Sequence, residues 1–537
     1  MVIKVLYFLF LIFQEIGFSK SGNPIDSVDY FFDPIDVIGK KEESKYLFSS
    51  SEIDKKSIRN TYSSISINRT IRMVPGIFTL SEFNFSQDAR ISIRGNGLRS
   101  PFGIRGIKIL FDDVPESTPD GQAQLDNIDL NYLQNIKVYR GSASPLFGNA
   151  SGGVINFMSI TPDRKNTMNY KLMIDSHRSK VLNYFINRTY KSINWNLSLT
   201  RQNFIGFRNH SSMVSNIFNS KIIINSRKLG IFSIHLNHLD NPYALDPGSL
   251  NEDQKSQNPL SARDENLLYD SRESVMQTKI SIKSNKKFKN NIISKQNIWI
   301  ANRYFQNKLP FLIGGQVKLN RYYMGITSKY LYGFKLGNFD YNFLLGFEFN
   351  NQEDKRRRFD NILGIRGSLT YNAMESFLSY GTFSQLKILI KKIIIFSGLR
   401  YDQSLIKLDN FEDKNSNFNK DYRSFSPILG INYKPKENLN FFGNYSTHFD
   451  TPTLNEIGNN ILIASASPIN INLKPQLSKS LEFGFNYNAN KFDFFEIVLF
   501  TSELRNEIIP YEIKNEPGRS YYRNAGVTIR NLSLIHI

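Results

Sequence analysis

With 537 residues, 67 Lys+Arg against 48 Asp+Glu and a formal net charge of +19, the chain is long enough for several domains, or for one small domain beside a single large sheet. It has no Cys and six His, of which only His235 and His238 are close in sequence, so a disulfide scaffold, a thiolate metal site and a clustered structural zinc site are excluded. The positive charge runs along the whole chain, mixed with Asn and Ile; without a concentrated stripe or a binding module it does not point to nucleic acid, and it fits a soluble rim facing an acidic surface or an anionic ligand.

Residues 1–19 carry Lys4, the apolar run VLYFLFLIF (5–13) and the small residues Gly17 and Ser19, the pattern of a secretory signal peptide. Gln14 and Glu15 cut the run at about half of what a membrane helix needs. Residues 20–63 read as a leader and flexible linker. Within it DPIDVIGK (33–40) is an isolated apolar-bearing stretch, Ile35, Asp36, Val37, Ile38 and Gly39, ahead of the polar run KKEESKYLFSSSEIDKKS.

From 64 to 160 short strands alternate with glycine turns: RISIRG (90–95), GIKILFDDVP (106–115), NIKVYRG (135–141) and SGGVINF (151–157). This predicts a compact mixed α/β domain. No GK[ST] follows any glycine loop, RGNGLRS is not a G-x-G-x-x-G, and Ser142 and Ser144 do not sit in a G-x-S-x-G elbow, so nucleotide binding and acyl-transfer chemistry both fail on their own motifs. Asp112, Asp113 and Asp120, beside Pro115 and Pro119, read as turn and loop residues. No catalytic constellation emerges, and the chain reads as not an enzyme.

Beyond 160 the period is two. In FDYNFLLGFEFN (339–350) the residues Phe339, Tyr341, Phe343, Leu345, Phe347 and Phe349 fall on one face, while Asp340, Asn342, Gly346, Glu348 and Asn350 fall on the other. INWNLSLT (193–200), FSIHLNHL (232–239) and SLEFGFNYN (480–488) repeat the pattern, and long polar segments such as 237–275 and 407–424 separate such runs. The most apolar internal segment, LKILIKKIIIFSGL (386–399), is broken by Lys391 and Lys392, so no later helix is predicted to cross a membrane. Aromatic-rich alternation behind a signal peptide predicts a transmembrane β-barrel over 161–537; a soluble sheet protein has the same alternation strand by strand.

The runs VPGIFTL (74–80), QDARISIRGNGLRSPFGIRGIKILFDDVPESTPDGQAQLDNIDL (87–130) and IKVYRGSASPLFGNASGGVIN (136–156) resemble the plug of TonB-dependent outer-membrane receptors, in the branch likened to ferric citrate and ferric siderophore receptors. FDTPTLNEI (449–457), INLKPQLSKSLEFGFN (471–486) and GRSYYRNAG (518–526) resemble later strands of that family. The resemblance implies a mainly β fold: an N-terminal mixed α/β plug inside a large antiparallel transmembrane barrel of about 22 strands, whose wide lumen would leak unless plugged. It implies a monomer in the outer membrane of a Gram-negative bacterium, in contact with lipid and lipopolysaccharide, importing a small-molecule metal chelate. Energy would come from TonB and its inner-membrane complex. No covalently bound cofactor is implied, and the iron chelate would be cargo.

Residues 35–39 are similar to the TonB box, which docks by adding a strand to its partner's sheet. Arg99 and Arg105, in GLRSPFGIRG, are candidates for holding an anionic ferric chelate. Arg140 matches a family arginine of a buried plug-to-barrel charge network, whereas Lys137 stands where the family carries Glu, so a barrel carboxylate or a different lock is expected. Haem receptors of the class carry a His between motifs like FDTPTLNE and INLKP. Here His448 precedes the first and none follows before Pro475, which disfavours haem and leaves cobalamin, nickel chelates and oligosaccharides open. At roughly 25 residues per strand with its share of loops, 161–537 accommodates about 15 strands. The chain therefore reads as a C-terminally truncated fragment, with the tail NLSLIHI (531–537) departing from the family pattern. A passive porin and a secreted β-rich binding protein are the alternatives.

Overall fold

A computed structural model describes residues 49–536 apart from 61–64, 81, 98–99, 101–102, 142–143, 164–165, 177, 227–229, 289–290, 414–416, 459–469, 471, 489–493 and 513–519. The signal peptide, the stretch 35–39 and Arg99 lie outside the described residues. The first part of the chain comprises β1 (Ser50–Asp54), α1 (Lys55–Asn60), α2 (Ile67–Ile71), β2 (Ile77–Leu80), β3 (Arg90–Ile93), β4 (Ile107–Phe111), β5 (Val114–Pro115), β6 (Leu133–Arg140), α3 (Ser144–Phe147) and β7 (Gly153–Ser159). Five of these strands make one mixed sheet in the order β1-β6-β7-β4-β5, with β4 and β7 parallel, and β2 pairs with β3 separately. Ile71, Ile93, Ile109, Ile136, Val138, Ile155 and Phe157 form its core.

This sheet starts earlier than the expected boundary at 64. β1 pairs with β6 from Ser50 opposite Tyr139 to Asp54 opposite Asn135. Its composition, SSEID, hides it: a sheet edge that buries only Ile53 needs no alternating apolar run.

The second part is one antiparallel sheet of 16 strands, against about 15 expected, with β8 (Thr167–Ile174) and β25 (Val527–His536) as its outer strands. Between them run β9 (Lys180–Tyr190), β10 (Ile193–Phe204), β11 (Met213–Ser226), β12 (Gly230–Leu245), β13 (Arg272–Lys287), β14 (Ile292–Lys308), β15 (Gln316–Leu336), β16 (Phe339–Ile362), β17 (Ile365–Ile390), β18 (Ile393–Asn410), β19 (Phe418–Lys436), β20 (Leu439–Asp450), β21 (Gln476–Asn488) and β22 (Phe494–Arg505). The hairpin β23 (Ile508–Tyr511) and β24 (Tyr521–Asn524) lies between β22 and β25. Short helices α4 (Glu252–Gln257) and α5 (Asp264–Leu268) decorate the connection from β12 to β13, and α6 (Leu454–Ile457) follows β20. The tail 527–536 pairs with β22 from Val527 opposite Arg505 to His536 opposite Glu496.

The sheet is greasy outside and polar within. On β16 the even positions Gln352 and Asp354 are fully buried, whereas Leu345 is 52% and Phe347 42% exposed. Its outward face is apolar or aromatic from Phe339 to Phe349 and then turns polar at Asn351, Glu353, Lys355 and Arg357. The ten steps from Phe339 to Phe349, at about 3.3 Å each and tilted about 40°, span roughly 25 Å, the height of a membrane barrel's apolar band. Three lumenal aromatics, Trp299, Phe383 and Phe442, fold over Gly325, Gly346 and Gly484 of the neighbouring strand, where any Cβ would collide with the ring.

Candidate functional site

The first part of the chain fills the lumen of the second, and the candidate site is the charged interface between them. Contacts reach strands all round the sheet: the Tyr132 hydroxyl donates to Asn196 on β10 (2.6 Å), Asn127 donates to Asn237 on β12 (3.3 Å), the Asp120 N–H to Gln352 on β16 (3.2 Å), and Arg530 on β25 donates to Asn96 (2.6 Å).

Two buried arginines anchor the plug to β21 and β22. Arg140, at the end of β6 and 1% exposed, donates to Glu496 (3.2 Å), to the Ser49 hydroxyl (2.9 Å) and to the Pro75 carbonyl (3.0 Å), and Ser49 itself donates to Glu496 (3.2 Å). Arg94 sits at φ 52° in the turn after β3, donates to Glu482 (3.3 Å), and holds its guanidinium 4.6 Å from the Phe500 ring centroid. Gly141 has φ 94°, and a Cβ there would stand 3.0 Å from Glu482 Oε2, so the backbone turns where the carboxylate must approach.

Lys137 is not in this anchor. It is half-buried on β6, opposite Glu52 on β1 and Asn156 on β7, and Asn135 on the same face donates to Glu52 (2.6 Å). In the sheet register the residue opposite Lys137 on the plug's own edge strand is thus an acid, Glu52.

On the opposite side the polarity reverses, and plug acids meet barrel bases. Asp112 and Asp113 form the two-residue turn between β4 and β5, at φ 49° and 67°, the left-handed pair that a tight hairpin demands. Asp112 accepts from the Ser159 N–H (2.9 Å), the Ser159 hydroxyl (2.7 Å) and Lys221 on β11 (3.0 Å), while Lys283 on β13 donates to the Asp112 carbonyl (2.6 Å). Burial alone would raise the Asp112 carboxyl, but Lys221 and then Lys283 outweigh it and hold it well below the usual carboxylate range. Lys279 pairs with Glu116 (2.5 Å), and Arg303 on β14 with Asp126 (2.6 Å). Asp88, which accepts from Gln124 (2.7 Å), is pushed up to about 6, by burial first and then by Asp126.

At the end of the long connections, Arg105 is 3% exposed and donates to the Asp120 carbonyl (3.0 Å), the Thr451 carbonyl (3.0 Å) and Glu456 on α6 (3.2 Å). Glu456 also closes the capping box of α6: its carboxylate accepts from the Thr453 N–H (2.8 Å) and its own N–H donates to Thr453 Oγ1 (3.0 Å). Leu454 N–H reaches Asp120 (3.4 Å). Sequence reasoning named Arg105 and Arg140 but missed Arg94, Glu456, Glu482 and Glu496. The T-x-x-E spacing of 453–456 and the lone acids on the wet faces of SLEFGFNYN and FDFFEIVLF were the available signals.

A barrel-type sheet, apolar outside, carrying a separate mixed domain latched inside its lumen, defines a plugged outer-membrane-type receptor. The description "TonB-dependent Receptor Plug Domain" matches residues 42–154, and "TonB dependent receptor-like, beta-barrel" matches 194–534. The chain belongs to the TonB-dependent receptor family. Solved structures of similar fold include the ferric citrate transporter FecA in unliganded form (TM-score 0.76, 17% identity, covering 87% of this chain and 72% of that one). The ferric yersiniabactin uptake receptor FyuA from Yersinia pestis is also similar (0.69, 14%, 92% and 76%), as is a double mutant of the Serratia marcescens hemophore receptor HasR with its hemophore HasA and heme (0.69, 13%, 91% and 79%).

Proposed function

We propose that this protein is an outer-membrane receptor that binds a scarce extracellular nutrient, a ferric chelate or siderophore, and imports it to the periplasm with energy transmitted by TonB. The observation that carries the reading is the latched plug: Arg94 and Arg140 are engaged with Glu482 and Glu496 inside the lumen, so a solute passes only if work moves the plug. The outer membrane supplies no nucleotide for that work, and a protein partner pulling on the N-terminal segment would. The exposed apolar band supports a lipid environment, since such a surface in water would drive association.

Residues 35–39 are the proposed partner segment, pairing as an added strand. Val37→Pro removes a backbone donor and should abolish energised uptake while leaving ligand binding intact. Arg99 and Arg105 are the proposed contacts for an anionic chelate. Arg105 already accommodates the Glu456 carboxylate, so carboxylate or comparable oxyanion groups of a ligand would compete for the same guanidinium.

The test is uptake of radiolabelled ferric complexes by cells carrying the full chain, with and without a protonophore. Accumulation abolished by the protonophore is expected. Accumulation that survives it would mean a passive pore, and failure to bind any ferric complex would remove the iron assignment.

A further inference from the structure

The 15 connections of the 16-stranded sheet divide between its two ends, and their charges do not divide evenly. Seven short ones join β9 to β10, β11 to β12, and so on to β21 and β22. Within these seven and the two residues flanking each, eleven Lys and Arg stand against three Asp and Glu. In the eight connections at the other end, counted the same way, fourteen stand against sixteen. The end with the short turns is thus the basic one, with a net +8 of the formal +19 against −2 at the other end. In a membrane barrel the short turns face the periplasm.

A second observation fixes the height of that ring. Just inside the turns the outward face carries aromatic side chains in mutual contact, along β15 for Tyr332 with Phe334 (ring centroids 5.4 Å apart) and across strands for Phe334 with Tyr341 (4.9 Å) and Phe441 with Phe485 (5.2 Å). Lys191 places its ammonium 5.2 Å from the Tyr190 centroid, and Lys286 4.8 Å from that of Phe288. Aromatic girdles mark the hydrocarbon boundary, so cations one or two residues beyond them stand at the level of lipid phosphates.

Lys191, Lys287, Lys335, Lys391, Lys392 and Lys436 are all exposed. Lys335 pairs with Asp340 (3.1 Å) and Lys392 donates to the Pro435 carbonyl (2.6 Å), surface contacts of a kind that exchange readily.

We propose that this rim is a collar for anionic phospholipid headgroups of the periplasmic leaflet, with lysines from successive turns each meeting a phosphate. The inference rests on the outer-membrane reading. Its function would be to fix the depth and tilt of the barrel while force is applied to the plug, which a ring of apolar contacts alone does not oppose strongly.

The test uses the full chain reconstituted in phosphatidylethanolamine vesicles, with spin-labelled phosphatidylglycerol and spin-labelled phosphatidylcholine compared as boundary lipids. Phosphatidylglycerol should be enriched at the protein roughly threefold or more, and high salt should erase the preference. The variant K287Q/K335Q/K391Q/K392Q should fall to parity. A control with the same charge change at the other end, K255Q/K407Q/R423Q/R505Q, should retain the enrichment. Circular dichroism checks that both variants keep their β content.

Parity in the unmodified protein, or equal loss in both variants, overturns the collar. So does loss of the preference on adding excess inorganic phosphate at constant ionic strength, which would mean a free-phosphate site. A chain that inserts but shows parity sinks the collar alone; a chain that does not enter the vesicles sinks the membrane reading with it.

Discussion

The two flanks of the plug are held by opposite chemistry. Against β11, β13 and β14, plug acids are clasped by barrel bases: Asp112 by Lys221, Glu116 by Lys279 and Asp126 by Arg303. Against β21 and β22, plug bases are clasped by barrel acids, Arg94 by Glu482 and Arg140 by Glu496. A plug rotated in the lumen would set like charges together, so the reversal fixes its orientation without adding net charge to the interface.

The flanks also differ in what reaches them first. Ser49, the residue before edge strand β1, accepts from Arg140 Nε, donates to Glu496, and its carbonyl accepts the Arg140 N–H (2.9 Å). Tension applied upstream of Ser49 would load the arginine flank first and would then meet the β1–β6 pairing. The acid flank, seated on the two-residue turn at 112–113, is remote from that pull. The comparison therefore casts one flank as a release and the other as a hinge.

The largest break in this comparison should come from the hinge. Lys221→Met with Lys283→Met leaves the Asp112 carboxylate buried without its cations, and stranding a buried charge costs about 3–5 kcal/mol. The plug should become susceptible to protease, and the pore should conduct ions in planar bilayers. The pH dependence has a definite sign. In the unmodified protein the Asp112 carboxyl is held below its unfolded value, so its contribution is complete above the unfolded pKa and is lost only as the medium falls through the lower, folded one. Without the lysines the carboxyl is free to protonate, and acidification should reseal the variant, as should adding Asp112→Asn.

On the release flank, Arg140→Gln leaves Glu496 facing Ser49 alone and should cost about 2–4 kcal/mol of plug seating. The sharper measurement is a double-mutant cycle with Glu496→Gln, where a coupling of about 1–3 kcal/mol is expected. No coupling would mean that Arg140 acts only through the Ser49 hydroxyl and the Pro75 carbonyl.

A smaller effect distinguishes the flanks by pH. Asp88, beside Asp126 on the acid flank, titrates at about 6 in the folded state, above its unfolded value. A raised carboxyl favours folding when protonated, so this group's contribution is lost as pH rises from below 4 through about 6. Asp88→Asn should raise the melting temperature at pH 8, equivalent to about 1–2 kcal/mol, and change little at pH 4.5. An equal gain at both values would exclude titration as the cause.

Much of the fold was legible because a membrane barrel writes its two faces with period two. The prediction for 339–350 matches the structure, with Phe343, Leu345 and Phe347 exposed and Glu348 and Asn350 buried. What was not legible follows from two physical facts. An edge strand such as β1 carries one inward apolar residue and no pattern, and missing it also hid Glu52, the carboxylate opposite Lys137. Partners in a lumen are separated by hundreds of residues, as Arg140 and Glu496 are, so spacing could suggest the arginine but not its acid. Arg105 was legible as a cation in a loop, but its engagement with α6 was not, although T-x-x-E at 453–456 announced the helix that presents the carboxylate.

That one-turn helix gives the smallest prediction and the most local one. Thr453 caps α6 through the Glu456 N–H, and the Glu456 carboxylate returns the bond while meeting Arg105. Thr453→Ala removes the cap at about 1 kcal/mol. Were α6 only a lid over the mouth, the loss would appear as local hydrogen exchange at 454–457 and nowhere else. Because Glu456 serves cap and Arg105 together, exchange should also rise at 118–121, where Asp120 meets both Arg105 and the Leu454 N–H. Thr453→Ser, which keeps the hydroxyl, should restore protection at both places. Restoration at 454–457 alone would show that the plug apex and the helix are packed together but not coupled.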